Sequence, residues 1–311
     1  MTQPVDTLPS SHRPAPGATE QPDPRYADID IWSTGSILTA LAEAQIAATA
    51  TAYAATTAME AVVDAAIPRL LAGGRIFYVG AGTSGRIGLQ DGVELPPTFG
   101  WPESRLVLLL AGGRKALFEA VEGAEDQVET ARDDILTYRP NASDVVFGIA
   151  ASGSTPFTCA ALSAARACGA MTVGISSNPQ GKLLDEAEFS IVLATGPEVI
   201  AGSTRLKAGT AQKATLNMLS TAIMVRLGHG YRGQMVDMRV VNAKLRRRAN
   251  RMVGLLAGGT SDEREAALAE ADHNVKLAVM VRTGFSVQEG REALSQHGND
   301  LRAALLSKAP R

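Results

Sequence analysis

Five short, continuously apolar runs punctuate the middle of the chain, separated by stretches of helical character. They fall at 75–79 (RIFYV), 105–110 (RLVLLL), 145–150 (VVFGIA), 171–175 (MTVGI) and 189–193 (FSIVL). A strand that is apolar on both sides leaves no face for water. Such strands alternating with helices predict a parallel sheet covered on both faces. The expected fold is therefore α/β, a three-layer, doubly wound, five-stranded parallel sheet. In that architecture ligands sit beyond the carboxyl ends of the strands. Ahead of the sheet, residues 35–71 are Ala-rich and predict two helices, with Pro68 near their end. From about Arg205 onward the pattern is helical. Residues 261–306 read as a separate small helical unit, with a capping signal at Ser261-Asp262 and Glu265 and breaks at Gly284 and Gly298. The expected division is a disordered tail over 1–25, the α/β domain with its leading helices over 26–256, and the small helical domain over 257–311.

Composition narrows the function classes. A net charge of −2 supplies no general attraction to nucleic acid or membrane. No apolar run approaches the roughly 18 residues of a membrane span. The first 25 residues carry six prolines and no apolar stretch, which is no signal peptide. Cys159 and Cys168 stand nine positions apart on one expected helix, so they face opposite ways and cannot pair. That suits a reducing, cytoplasmic compartment. His12, His229, His273 and His297 show no metal-ligand spacing, and no metal is expected. The basic run Lys244-Leu245-Arg246-Arg247-Arg248-Ala249-Asn250-Arg251 wraps around a helix, interleaved with apolar residues and without aromatics, which favours a surface or interface helix over a nucleic-acid contact.

Three strand-to-helix turns carry hydroxyls. The first, Gly80-Ala81-Gly82-Thr83-Ser84-Gly85-Arg86, matches the dinucleotide fingerprint literally. A ribose-binding acid should then end the next strand, but Ala111-Gly112-Gly113-Arg114 stands there. A P-loop would need Lys and Ser or Thr where Arg86 and Ile87 stand. What remains is a socket for one phosphate monoester: close backbone, the hydroxyls of Thr83 and Ser84, and the N–H groups of a new helix. A plain tight turn is the simpler alternative. The second turn, Ala150-Ala151-Ser152-Gly153-Ser154-Thr155-Pro156, has Pro156 suited to a first helical position and Ser154 or Thr155 suited to capping. Two such turns on one sheet could converge on one ligand. The third lies within 195–213, with Glu198, Ser203, Thr204, Arg205 and Lys207. Cations at a helix start oppose its dipole, so a compensating anion is expected there. The carboxylates Glu94 and Glu125 complete the candidates: Glu94 follows the first turn by a few residues, where Pro96 and Pro97 are expected to end the first helix, and Glu125 alone would read as a solvated surface acid.

Taken together, the strings GGRIFYVGAGTSGRIG, ELPPTFG, AVEGAED, GIAASGSTPF, GSTRLKAGTAQKATLNMLST, MVDM and VNAKL resemble the bacterial N-acetylmuramic acid 6-phosphate etherases. These belong to the sugar isomerase (SIS) domains and are related to the glucokinase regulatory protein. The resemblance runs from about residue 19 to the C-terminus. It implies a five-stranded SIS sheet, a C-terminal three-helix unit similar to ubiquitin-associated domains, and a homodimer with the site near the subunit interface. It also implies conversion of N-acetylmuramic acid 6-phosphate and water to N-acetylglucosamine 6-phosphate and D-lactate, with no cofactor. By motif position Glu94 matches the family's general acid and Glu125 its second catalytic glutamate, the base. Expected substrate-binding residues are Gly82, Thr83, Ser84, Ser152, Ser154, Thr155, Glu198, Ser203, Thr204 and Lys207. The chain departs from the usual pattern at Ser154, where Arg is common, at Leu95, at Asp23 and over 42–45. A catalytically silent phosphosugar-binding regulatory protein is the alternative from another class; the retained Glu94 and Glu125 argue for the enzyme.

Overall fold

The computed structural model describes residues 17–307. The leading helices are α1 (Thr34–Ala54) and α2 (Thr56–Leu71). The alternating region follows: β1 (Ile76–Gly80), α3 (Gly82–Phe99), β2 (Leu106–Leu110), α4 (Val128–Thr137), β3 (Val145–Ile149), α5 (Pro156–Ala167), β4 (Met171–Ser176), α6 (Lys182–Glu186) and β5 (Phe189–Val192). Then come α7 (Lys207–Arg226), α8 (Ala243–Ala257), α9 (Ser261–Glu270), α10 (Val275–Arg282), α11 (Val287–Gln296) and α12 (Leu301–Leu306). Among the described residues no single helix is long and apolar enough to cross a membrane.

All five strands pair in parallel, in the order β2-β1-β3-β4-β5. Successive strand residues point to opposite faces. Ile76, Tyr78, Val145 and Phe147 join Val62, Ala66, Leu216 and Ile223 of α2 and α7 in one core. Phe77, Val79 and Val146 join Ile135 of α4, Phe157 and Leu162 of α5 and Leu183 of α6 in the other. Both faces being covered is the reason the strands read as unbroken apolar runs, and it makes the three layers expected from the sequence.

The C-terminal helices have a third core, and its limits differ from the expected boundary. Tyr231, Val236 and Met238, and Ala249, Met252 and Val253 of α8, pack with Leu268, Leu277, Met280 and Leu301. The core of the helical unit thus reaches back to Tyr231, ahead of residue 257, and it holds five helices where the resemblance implied three. Asp237 ties it to the sheet domain: one carboxylate oxygen accepts from Lys276 Nζ (2.6 Å) and meets His229 Nδ1 at 2.8 Å. Lys276 is fully buried, and burial depresses its pKa against the opposing pull of Asp237.

Three further local expectations are revised. The start of α9 is capped by Thr260, in a reciprocal capping box with Glu263, and not by Ser261 with Glu265. Pro96 and Pro97 do not end α3: Pro96 is buried, and the helix closes at Gly100, whose N–H donates to Pro96 O (3.0 Å). Of the expected disordered tail, residues 1–16 lie outside the described residues. Residues 17–25 contradict it: they include one-turn helices at Ala18–Glu20 and Pro24–Tyr26, and Thr19 is wholly buried. Packing, not composition, decided that segment.

Candidate active site

In this strand order the chain runs outward in both directions from the β1/β3 pair. Connections leaving β1 and β3 therefore diverge, and a crevice opens above their carboxyl ends. The two hydroxyl-rich turns lie there, because Gly80 pairs with Ile149 at the ends of those strands. The first turn needs its glycines. A Cβ on Gly80 would sit 2.8 Å from Gly85 N, and one on Gly85 would sit 2.7 Å from Gly80 O, so the start of α3 lies directly against the strand end. Arg86, in the place of a P-loop lysine, turns away and donates to Ala116 O (2.8 Å) and Glu119 O (3.1 Å).

A cavity of about 410 Å³ occupies the crevice. Its walls include Gly82, Thr83 and Ser84 from the start of α3, Ser152, Ser154 and Thr155 from the start of α5, and Thr204, Glu125 and Glu20. None of the described lining residues is cationic. Neither α3 nor α5 has a side-chain cap: Ala81 cannot supply one, and Thr155 stands at the cap position of α5 without making the bond expected of it. Ser152 Oγ instead accepts from Ser154 N (3.2 Å). Two helix starts thus direct N–H groups and positive dipole ends toward one half-open cavity edged with hydroxyls. Such an arrangement suits an anion without needing a charged side chain.

Other expected site residues are placed elsewhere. Glu198 is fully buried, and its carboxylate accepts from Lys207 N and Ala208 N, both at 2.9 Å. The anion expected at the start of α7 is therefore the chain's own side chain, and this helix end is filled. Lys207 Nζ donates to Thr195 O (2.8 Å); burial lowers its pKa, with Glu198 and Asp23 pulling the other way. Ser203 does not line the cavity, although its neighbour Thr204 does. Glu94 is solvent-exposed on α3 and also outside the cavity wall. Ten residues along a helix from Ser84, it is about 15 Å further down the axis.

Behind α3 a buried polar cluster fixes its orientation. Asp91 accepts from Tyr78 Oη (2.8 Å), Asn217 Nδ2 (2.5 Å) and Ser220 Oγ (3.3 Å), joining α3 to β1 and α7. Burial and the Asp91 carboxylate push the Tyr78 phenol well above its usual pKa. Cys159 is no nucleophile in waiting: burial raises its thiol to about 11.

Comparison with known proteins bears on this geometry. Residues 57–166 match the family profile "Glucokinase regulatory protein N-terminal SIS domain". The N-acetylmuramic acid 6-phosphate etherase of Deinococcus radiodurans is 47% identical over 291 residues, covering 93% of this chain and 95% of that one. The proteins of that name from Rubrobacter xylanophilus and Enterobacter sp. are 44% and 43% identical over 288 residues, each covering 92% of this chain and 95% and 97% of their own. This chain belongs to the N-acetylmuramic acid 6-phosphate etherase family. Among solved structures, a phosphoheptose isomerase from Francisella tularensis aligns with 62% of this chain and 100% of its own, at 18% identity and a TM-score of 0.47.

For a member of the etherase family, the cavity brings together eight of the residues singled out from sequence: Gly82, Thr83, Ser84, Glu125, Ser152, Ser154, Thr155 and Thr204. Sequence reasoning missed Glu20, which was assigned to the tail, and Asp91. Asp91 had a legible signal, since it stands seven residues after Ser84 on the helix face that meets the sheet. Glu20 had none, because its place depends on a strap docking far along the chain.

Proposed function

We propose that this chain is a carbon–oxygen lyase of amino-sugar catabolism. It removes the D-lactyl group of N-acetylmuramic acid 6-phosphate, giving N-acetylglucosamine 6-phosphate and D-lactate. The observation that carries this reading is the cavity itself, where two uncapped helix starts and their hydroxyls meet a carboxylate in a chain 47% identical to a named etherase. The 6-phosphate occupies the starts of α3 and α5, against Thr83, Ser84, Ser152, Ser154 and Thr155. Glu125 faces the sugar.

The chemistry asks for two proton-transfer groups. An alkyl ether is a poor leaving group, so direct displacement is slow. In the open-chain aldehyde the carbonyl acidifies the hydrogen at C2. Glu125 removes that proton, the C3–O bond breaks, and an acid protonates the ether oxygen as lactate leaves. Water then adds at C3 and a proton returns to C2. No cofactor takes part. Each well-placed acid or base contributes about 10²–10⁴-fold in rate.

Glu94 is the proposed acid, from the family motif. Its distance from the cavity of its own chain favours a homodimer in which a second copy brings it to a site. Exposed apolar residues on the leading helices and α7, among them Leu38, Ile46, Tyr53, Met218 and Val225, give such a copy a surface to cover. The enzyme is proposed to act in the cytoplasm, where the free Cys159 and Cys168 stay reduced.

Release of D-lactate from N-acetylmuramic acid 6-phosphate by the purified protein is the direct test; no release refutes the reading. In heavy-oxygen water the label should enter the sugar at C3. Label in the lactate hydroxyl would instead show attack at the lactyl carbon. Glu94→Gln and Glu125→Gln should each lower turnover by at least about 10²-fold. Glu125→Gln should also lose exchange of the C2 hydrogen with solvent. Light scattering should report twice the 32.5 kDa chain mass. Mixing the two inactive variants should restore up to about a quarter of wild-type turnover if Glu94 serves the partner's site, since half of randomly mixed dimers then hold one intact site. No recovery places both glutamates in one chain.

A further inference from the structure

Glu20 stands in a place that composition assigned to a tail, and nothing so far accounts for a second carboxylate in an anion-binding cavity. The strap that carries it is built in. Thr19 is fully buried, Glu20 N donates to Gly17 O (2.9 Å), and Thr19 O accepts from Gly202 N (3.0 Å). The loop opposite makes room for the side chain. Gly202 has φ +76°, a conformation that glycine adopts without strain, and a Cβ there would lie 2.9 Å from a Glu20 carboxylate oxygen. A short strap is thus anchored by a backbone hydrogen bond to the loop leading into α7, with the Glu20 side chain at the cavity wall.

The charge balance makes that position informative. Glu20 and Glu125 both border the cavity, the described lining holds no cation, and no described cation forms an ion pair with Glu20. A carboxylate beside a bound phosphate repels it, so bare electrostatics makes Glu20 a liability for any anion. An ionised carboxylate is an acceptor only. It offsets that repulsion when the ligand presents an O–H or N–H to it. A sugar phosphate does so through its ring hydroxyls and acetamido N–H; inorganic phosphate has neither group to offer.

We propose that Glu20 is a specificity-determining residue, accepting a hydrogen bond from a neutral O–H or N–H of the sugar and so selecting sugar phosphates over simple anions. This rests on the reading of the cavity as a sugar-phosphate site, and the two can fail separately. The experiment compares wild type with Glu20→Ala by calorimetry, using N-acetylglucosamine 6-phosphate and inorganic phosphate as probes. Because the side chain is exposed, the variant should fold, which its melting curve checks. The sugar phosphate should bind about 10-fold more weakly while inorganic phosphate binds equally or more tightly, that divergence being the signature. Glu20→Gln, which keeps a carbonyl acceptor, should recover part of the sugar-phosphate affinity. Sugar-phosphate binding that is unchanged or tighter in Glu20→Ala overturns the proposal. So does equal weakening of both probes, which would mean that the residue merely holds the strap. Wild-type protein that binds neither probe would sink the sugar-phosphate reading itself.

Discussion

The helices of the C-terminal unit and those around the cavity begin in opposite ways. Each of α8 to α12 starts on a side-chain cap: Asn242, Thr260, Asn274, Ser286 and Asp300 all accept from an N–H three residues on. Neither α3 nor α5 has such a cap, though both starts are crowded with serine and threonine. A cap satisfies a donor that would otherwise need water or a ligand. The C-terminal helices satisfy their own donors, so they need nothing else there. Those over the β1/β3 crevice have no side-chain cap, which leaves their donors to water or a ligand. The start of α7 sharpens the contrast, since Glu198 fills it from nine residues upstream much as a bound anion would. Hydroxyls near a helix start are therefore weak evidence of binding until it is known whether they are already used.

The largest expected effect comes from abolishing this difference. Ala81 occupies the cap position of α3 in an extended conformation, φ −122° and ψ 156°. Ala81→Asp would give α3 its own carboxylate, as α7 has. Sugar-phosphate binding by calorimetry should weaken by about 100-fold or more, because a fixed charge then competes with and repels the phosphate. The folded state should gain about 0.5–2 kcal/mol in urea unfolding. Retained affinity would show that the α3 start does not bind the ligand.

A milder change removes one donor. Ser84→Ala should weaken sugar-phosphate binding by about 1–3 kcal/mol with little change in melting temperature. If both Ser84→Ala and Ser152→Ala bind as wild type, the two turns are structural. The reverse pattern is expected at the filled helix. Glu198→Gln leaves one of two buried N–H groups facing a donor amide, and should cost about 1–3 kcal/mol of stability in urea while inorganic phosphate still binds. The smallest effect belongs to the C-terminal unit. Thr260→Ala should cost about 1 kcal/mol of stability and leave ligand affinity untouched. A change in affinity there would mean that the two regions are coupled, with the Asp237–His229 contact as the route to examine.

Much of the sheet was legible because its strands are buried on both faces, which leaves a local mark: 145–150 and 171–175 were expected within a residue or two of β3 and β4. The two hydroxyl turns were legible for the same reason, as glycine, serine and threonine cluster within a few residues of each strand end. Caps were less legible. The start of α9 offered Thr260 and Ser261 side by side, and one residue of phase decided between them. Glu94 looked close to the phosphate turn in sequence, yet helix rise carries it away. Glu198 and Lys207 carried the right charges for an anion site but spend them on each other's surroundings.

By itself the sequence determined whatever depends on neighbours within a few positions: strand and helix periodicity, the tight glycine turns, and the supply of hydroxyls at helix starts. Tertiary structure alone decided which of those hydroxyls and N–H groups remain unused. The order β2-β1-β3-β4-β5 set two turns some seventy residues apart side by side, and a strap from the start of the chain brought Glu20 to them. Those outcomes are set by the packing of both sheet faces and by contacts between distant segments. Local periodicity leaves no trace of either, because the energy that selects them is shared among residues from every part of the chain.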